Sequence, residues 1–405
     1  MRIAVDLHSH SGYAGGVGQI ELSQVSHSMK LKGIDIFGTG DCLFPPRTQE
    51  LQQQLQPCEE GCFALPGDSS RFILQTEVIF STKISGYKNK IIAHHIILFP
   101  NFSAVHKMQN LLTKWGMKNT IGRPFITSDS VKKLQTQLED IAAIDPLVEI
   151  IPAHVMTPDG ILGSKNNLLT MQQFYRDFLP NIRIIETGLS ADPKMLETIP
   201  DLAELTFISN SDCHSAALNR IGREFTVVEA NEINYKSLIE ALRANKIVFT
   251  AEFNPSEGRY FQTGHRANRK GHDGENYLPE IHTSKCPICG KKIIPGVQER
   301  CYSLQDNCII PRHRNYRHLI RLVEVIAHSV GVKSVKSKKV IGIFNKLLQV
   351  YSSELELWCS KTIKGDLSGL VPPTTISQIM AVQKGNFRFE PPGYDGLYGK
   401  LQIFS

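Results

Sequence analysis

The chain is 405 residues long, 41% apolar and 21% charged, with a formal net charge of +6, which is ordinary for a folded protein with room for two or three domains. No apolar run is long enough to span a bilayer and no basic segment followed by an apolar stretch opens the chain, so neither a spanning helix nor a signal peptide is read and a cytoplasmic protein is expected. Residues 1–250 hold 23 Lys+Arg against 26 Asp+Glu, while residues 251–405 hold 22 against 13, the pattern of a metal-binding part joined to one that grips a polyanion.

The first element is the run Ile3 to Val5, followed at once by Asp6-Leu7-His8-Ser9-His10. Side chains two apart on a strand share a face, so both imidazoles can reach one ion. Alone, the pair is as readily an ordinary polar loop. The theme then repeats, with short β-rich runs ending in a His, Asp or Glu. Ile34 to Phe37 precedes Asp41, Phe72 to Leu74 precedes Glu77, and Ile91 to Ala93 precedes His94 and His95. Val148 to Ile151 precedes His154, Ile182 to Ile185 precedes Glu186, and Leu205 to Ile208 precedes Asp212 and His214. Amphipathic stretches such as Ile20 to Lys32 and Tyr235 to Asn245 lie between them and predict β/α units. Glu77 and His95 are too close for a crossover helix and predict a hairpin through residues 85–89. Strand ends of a β/α barrel open on one face, so the seven endings converge there.

Near Asn254 the texture changes. Residues 255–285 are polar and Gly-rich and lead into Cys286-Pro287-Ile288-Cys289-Gly290, a tight bend that brings two thiolates to one tetrahedral ion. Nine cysteines, an odd number in a chain without an export signal, favour reduced thiols and metal over disulfides. The other two ligands stay open among His265, His272 and His282 upstream and Cys301 and Cys308 downstream, with His265 and Cys301 carried as the expected pair. Helices are predicted over Leu319 to Val330 and Lys338 to Tyr351. Lys333, Lys336, Lys338 and Lys339 cluster at the break, where a positive loop and a helix N-terminus suit a phosphate backbone. Phe387 to Phe404 alternates around Pro391-Pro392-Gly393-Tyr394-Asp395-Gly396 and predicts a hairpin.

Asp6-Leu7-His8-Ser9-His10, Asp41, Glu77, His94-His95, Pro152-Ala153-His154 and Asn210-Ser211-Asp212-Cys213-His214 together resemble the polymerase and histidinol phosphatase (PHP) superfamily. The resemblance implies a distorted seven-stranded β/α barrel that holds up to three metal ions and hydrolyses phosphate esters. Gly38-Thr39-Gly40-Asp41, Gly163-Ser164-Lys165, Glu186-Thr187-Gly188-Leu189-Ser190, Gly264-His265-Arg266, the Cys286 bend, Ser337-Lys338-Lys339-Val340 and Pro392-Gly393-Tyr394-Asp395-Gly396 look like endonuclease Q. That family implies a divalent-metal-dependent DNA repair nuclease cutting 5′ to uracil, hypoxanthine, xanthine or an abasic site. Two positions depart from the patterns: Cys42 stands where the superfamily often has a histidine, and Asn268 where the family tends to have a cysteine. Three parts are expected: an α/β PHP barrel over residues 1–255, a zinc-knuckle segment over 256–310, and a helical DNA-binding module with a C-terminal hairpin over 311–405.

His8, His10, Asp41, Glu77, His94, His95, His154, Glu186, Asp212 and His214 are the expected ligands of two or three Zn, Mg or Mn ions, with His94 or His154 as the alternative general acid. One structural zinc is expected at Cys286, Cys289, His265 and Cys301. Selecting a deaminated base requires turning its nucleotide out of the stack; Lys165 is the candidate reader of that base and Trp115 a candidate stacking residue. Lys333, Lys338 and Lys339 are expected on DNA. The expected partners are damaged double- or single-stranded DNA and another repair or replication protein such as a sliding clamp. Three rivals are weighed. A PHP phosphomonoesterase acting on a small phosphate ester needs neither the knuckle nor the basic part, and an amidohydrolase usually needs a carboxylated lysine ending a middle strand. A non-catalytic DNA-binding protein would have lost ligands that this chain keeps.

Overall fold

Alternation decides which way each strand faces. Ile3, Val5 and Leu7 are buried in an inner apolar cluster and Ala4 in an outer one, as period-2 geometry requires of a strand covered on both faces. The computed structural model describes residues 1–15, 20–279, 285–361, 363 and 367–404, so His282 lies outside the described residues. Within them the strands up to residue 252 are β1 (Arg2–Asp6), β2 (Ile36–Gly38), β3 (Gln56–Glu59), β4 (Cys62–Ala64), β5 (Arg71–Thr82), β6 (Ile91–Phe99), β7 (Phe125–Thr127), β8 (Glu149–Pro152), β9 (Ile184–Glu186), β10 (Thr206–Ile208), β11 (Phe225–Glu229) and β12 (Ile247–Glu252).

The main mixed sheet runs Tyr316–His318, β12, β11, β1, β2, β5, β4, β3; β6 and β7 also bond to β5, and β8 to β6. β9 and β10 form a separate parallel pair. β1, β2 and β5 are parallel neighbours, and the helix Leu22–Lys32 makes the crossover between the first two. That helix stops at Gly33, whose φ is +81° and whose amide bonds back to the Met29 carbonyl. A Cβ there would lie 2.6 Å from Ser353 Oγ, so glycine both reverses the chain and admits the helix Glu354–Cys359.

β5 and β6 correct one expectation. They pair antiparallel from Leu74↔Phe99 to Thr82↔Ile91, so the hairpin forms but neither strand ends at its polar residue. Glu77, His94 and His95 sit in mid-strand, because the β-branched residues around them carry the ladder onward and one polar side chain does not break it. The inner cluster takes residues from β1, β2, β4, β5, β6, β8, β9, β10 and β11. β4 and β11, which carry no expected site residue, are additions to the seven strands read from the sequence.

A third apolar cluster, with Val323, Phe344, Leu347, Leu357, Trp358 and Ile379, joins the helices Leu322–Ser329, Lys338–Leu347, Glu354–Cys359 and Pro373–Gln383. The strands Phe387–Phe389 and Leu401–Ile403 pair antiparallel beside them. Two buried ion pairs tie this cluster to the elements before it: Lys32, the last residue of the helix Leu22–Lys32, to Glu354 at 2.7 Å, and Glu257, just after β12, to Arg321. The strand Tyr316–His318 extends the main sheet, and Val297 and Cys301 lie in the outer core. No described helix is long and apolar enough to cross a membrane.

Candidate metal centre and adjoining cleft

The carboxyl ends of β1, β8 and β10 and the middles of β5 and β6 meet at one point. His8 and His10 follow β1, Glu77 and His94 share the inner face of the β5–β6 ribbon, His154 follows β8, and Asp212 and His214 follow β10. Glu77 is the hub. Its Oε1 lies 2.6 Å from His94 Nδ1, 3.4 Å from His154 Nε2 and 4.0 Å from His8 Nε2; its Oε2 lies 3.4 Å from His10 Nε2 and 3.1 Å from Arg123. Asp212 Oδ1 is the second hub, 3.2 Å from His10 Nε2, 3.5 Å from His214 Nε2 and 3.7 Å from His8 Nε2.

Three sets of ligand atoms are thus close enough to hold a cation: His8, His10 and Glu77; His10, Asp212 and His214; and Glu77, His94 and His154. They overlap at Glu77 and His10. The donor set, imidazole and carboxylate, suits zinc, manganese or iron. His8 Nε2 is buried and without a hydrogen bond, which is costly for a polar atom unless something is bound there. Burial by itself would lower the pKa of His8 and His10, but the carboxylates outweigh it. Glu186, Asp212 and Glu77 raise His8 to about 9, and Asp212, Asp41 and Glu77 raise His10 to about 10. Burial likewise pushes Glu77 and Asp212 up, yet the surrounding imidazoles hold both well below the carboxylate range. Such an array takes up protons when it lacks a cation and releases them to one.

Backbone strain accompanies the site. Asp41, His154 and Asp212 have φ of +54°, +33° and +44°, a region that costs a non-glycine residue and persists where the surroundings enforce it. Gly188 is one such enforcer: a Cβ there would lie 2.5 Å from His154 Cβ. Beside the ligands opens a cleft of about 460 Å³, lined by His94, His154, Asp212 and His214 on one side and by Arg220, Arg259, Tyr260 and Tyr398 among its other residues.

A second cluster lies in the segment after β12. His265, His272, Cys286 and Cys289 bring their ligand atoms within 4.8 Å of one another. Cys289 Sγ is 3.6 Å from His265 Nδ1, while His265 Nε2 and both ring nitrogens of His272 are buried without partners. Two thiolates and two imidazoles at this separation suit a tetrahedral ion.

No family model matches the chain. It is 34% identical to the uncharacterized protein MJ0043 of Methanocaldococcus jannaschii over 229 residues, 54% of this chain but only 28% of that protein's length. It is 26% identical to the uncharacterized protein YqxK of Bacillus subtilis over 99% of both. Among solved structures it matches the lesion-specific endonuclease PfuEndoQ of Pyrococcus furiosus with a TM-score of 0.83 and 26% identity, covering 100% of this chain and 96% of that one. An endonuclease Q in complex with a 27-mer duplex carrying an abasic lesion at the active site matches with a TM-score of 0.84 and 27% identity, covering 100% and 97%. Over its whole length the chain is similar to endonuclease Q.

Against the site expected of an endonuclease Q, the structure brings together His8, His10, Glu77, His94, His154, Asp212 and His214 and separates the rest. His95 points to the opposite face of β6, where Nε2 meets the Tyr175 hydroxyl at 2.5 Å and burial drives its pKa down to about 3. Neighbours on a strand cannot share a face, so only one of the pair can join the cluster. Glu186 uses both oxygens elsewhere: on His8 Nδ1 at 3.0 and 3.1 Å, on the Asn210 amide at 2.9 Å and on the His154 amide at 2.9 Å. Asp41 lies 3.4 Å from His10 Nδ1 and accepts from the Ser11 amide and hydroxyl. Both carboxylates stand behind an imidazole and aim its other nitrogen at the cluster.

Cys301 is also corrected. It lies in the helix Val297–Leu304, buried in the outer core with its thiol pKa pushed up, and His272 takes its expected place. Lys165 lines no part of the cleft and pairs with Asp159 at 2.8 Å. Trp115 packs half-buried on the outer core. Lys338 and Lys339 occupy the first turn of a helix capped by Ser337, whereas Lys333 and Lys336 line shallow clefts that share Ser215 with the metal centre's own. The sequence reading missed Arg220, Arg223, Arg259, Tyr260 and Tyr398. Only the adjacent pair Arg259-Tyr260 offered a local signal; the others depend on distant segments meeting.

Proposed function

We propose that the chain is a divalent-metal-dependent DNA repair endonuclease that hydrolyses the phosphodiester 5′ to a deaminated base or an abasic site. The observation that carries this reading is the overlap of three ligand sets at Glu77 and His10, in a cleft with an arginine-lined wall, in a chain alike along its length to a lesion-specific endonuclease. The endonuclease Q complex holds an abasic duplex at its active site, and the present reading extends that class of substrate to this chain.

His8, His10, Glu77, His94, His154, Asp212 and His214 would hold two or three ions. Divalent ions held there supply Lewis-acid activation of the phosphate and of the attacking water. The protein's own residues prepare the ground. Glu186 and Asp41 fix the tautomers of His8 and His10. Arg223 donates to the Ser211 and Asp212 carbonyls at 2.6 and 3.1 Å and so holds the strained turn that presents Asp212. Lys333 and Lys336, in clefts adjoining His214 and Ser215, suit the phosphate backbone.

In this reading the strands up to β12 are a PHP-type barrel, the segment 256–310 a knuckle closed by one zinc on His265, His272, Cys286 and Cys289, and residues 311–405 the helical DNA-binding module. Short duplexes with a single uracil, hypoxanthine or abasic site, incubated with Mg²⁺ or Mn²⁺ and with EDTA beside an undamaged control, test the activity. Cleavage 5′ to the lesion, abolished by EDTA and by His8→Ala, is the expected outcome. Equal cutting of damaged and undamaged duplex would refute the specificity, and cleavage that persists in EDTA would refute the metal chemistry.

A further inference from the structure

One wall of the cleft is assembled from three distant stretches: Arg220 from the loop after His214, Arg259 and Tyr260 from the segment after β12, and Tyr398 from the C-terminal loop. Main-chain bonds stitch that loop to residues 256–262. Gly393 N–H donates to Ser256 at 2.7 Å, Gln262 N–H to Gly393 at 2.9 Å, Gly396 N–H to Arg259 at 3.0 Å, and Gly399 N–H to Glu257 at 3.0 Å. The approach leaves no room for side chains. A Cβ at Gly393 would lie 2.1 Å from the Gly258 oxygen, and one at Gly399 2.3 Å from the Ser256 oxygen.

The guanidinium of Arg259 lies over two rings, its carbon 5.7 Å from the centre of Tyr260 and 5.5 Å from that of Tyr398. Its Nε donates to the Gly396 carbonyl at 2.9 Å. With Nε engaged and two aromatic rings within reach of the guanidinium carbon, the two Nη groups are what Arg259 presents to a ligand, and their fork matches the oxygens of a phosphate. Arg223, on the same cleft, is committed to two carbonyls. The wall is electropositive: burial raises the Tyr398 phenol, but Arg223, Arg220 and Arg259 outweigh it and hold its pKa below the usual value.

Building on the DNA-cleaving reading above, we infer that Arg259 is a phosphate clamp for the cleaved strand, held in position by Tyr398 and the C-terminal loop. The last residues of the chain thereby complete a site that begins at its first.

The test uses abasic duplexes in which single phosphates of the cleaved strand are replaced, one at a time, by neutral methylphosphonate. On the unmodified duplex Arg259→Ala lowers kcat/KM about tenfold or more, as expected for a hydrogen bond to a charged group. At one neutral linkage near the lesion that difference vanishes, because the wild type has lost the same contact. Tyr398→Ala reproduces most of the loss, Tyr398→Phe does not, and the double variant Arg259→Ala/Tyr398→Ala loses no more than Arg259→Ala. Metal content stays at the wild-type level throughout. The inference is overturned if the Arg259→Ala loss persists at every neutral linkage, or if the two alanine effects multiply. Fluorescence-anisotropy Kd values on the same duplexes read the clamp independently of cleavage, so a wild type that binds but does not cut would refute the nuclease reading and leave the clamp judged on its own.

Discussion

Two adjacent histidines on one strand do opposite things. His94 faces Glu77 across 2.6 Å, whereas His95 is sealed between Phe80, Phe174 and Tyr175. The pair was legible as a ligand signal, but which member faces inward depends on which face of β6 the rest of the molecule covers. His94→Ala is therefore expected to lower barrel-metal content and activity with little change in Tm. His95→Ala should retain its metal but lose stability, on the order of 2–4 kcal/mol by the measure of large-to-small core changes. Elemental analysis and thermal melts of both variants separate the roles, and metal loss in His95→Ala with an unchanged melt would reverse the assignment. Glu186 and Asp41 were likewise recognised as site residues and misplaced in role, because a residue's type and position say nothing of which imidazole nitrogen its carboxylate will meet.

At the scale of elements, the apolar runs were readable and their lengths were not. A polar residue inside an otherwise β-branched run looks like an ending; in β5 it is a carboxylate delivered to the cluster from mid-strand. The cysteine cluster shows the same limit. Cys286 and Cys289 are a local bend and could be read directly, but the histidines beside them flank a small hairpin in which Arg269 pairs with His272. A signal did exist, since Gly264-His265 and Gly271-His272 repeat the same dipeptide seven residues apart. His272→Ala should release about one equivalent of zinc per chain while Cys301→Ser keeps it, since structural zinc needs its four ligands. Retained zinc in His272→Ala, or its loss in Cys301→Ser, would restore the earlier ligand set.

The whole molecule carries a pH dependence that no local segment reveals. Glu224 and Glu252 are buried together where β11 meets β12, and burial raises both, Glu252 to about 8. Thr187 and Ser209 donate to Glu252 Oε2 at 3.0 and 3.1 Å, but its Oε1 and Glu224 Oε2 have no hydrogen-bond partner. The folded protein keeps the Glu252 proton up to about pH 8, while the unfolded chain loses it near the ordinary 4.5. The folded state binds more protons between these values, so stability is fullest below pH 4.5 with respect to this group and falls as pH rises through about 8. In melts from pH 5 to 9, Glu252→Gln should show a shallower fall in Tm than the wild type; identical slopes would mean the carboxyl is ionised in the folded protein.

Residue types, strand periodicity and charge asymmetry were enough to read a set of His, Asp and Glu side chains, a cysteine bend and a basic second half, because each depends on neighbours within a few positions. Only the tertiary structure decided that His94 and not His95 joins the cluster, that Glu186 and Asp41 stand behind it, and that His272 lies with His265, Cys286 and Cys289. It also brought Arg259 and Tyr398, 139 positions apart, to one wall of the cleft. Those outcomes rest on which faces are covered and which distant segments are stitched together, and the free energy that selects them belongs to the packed whole.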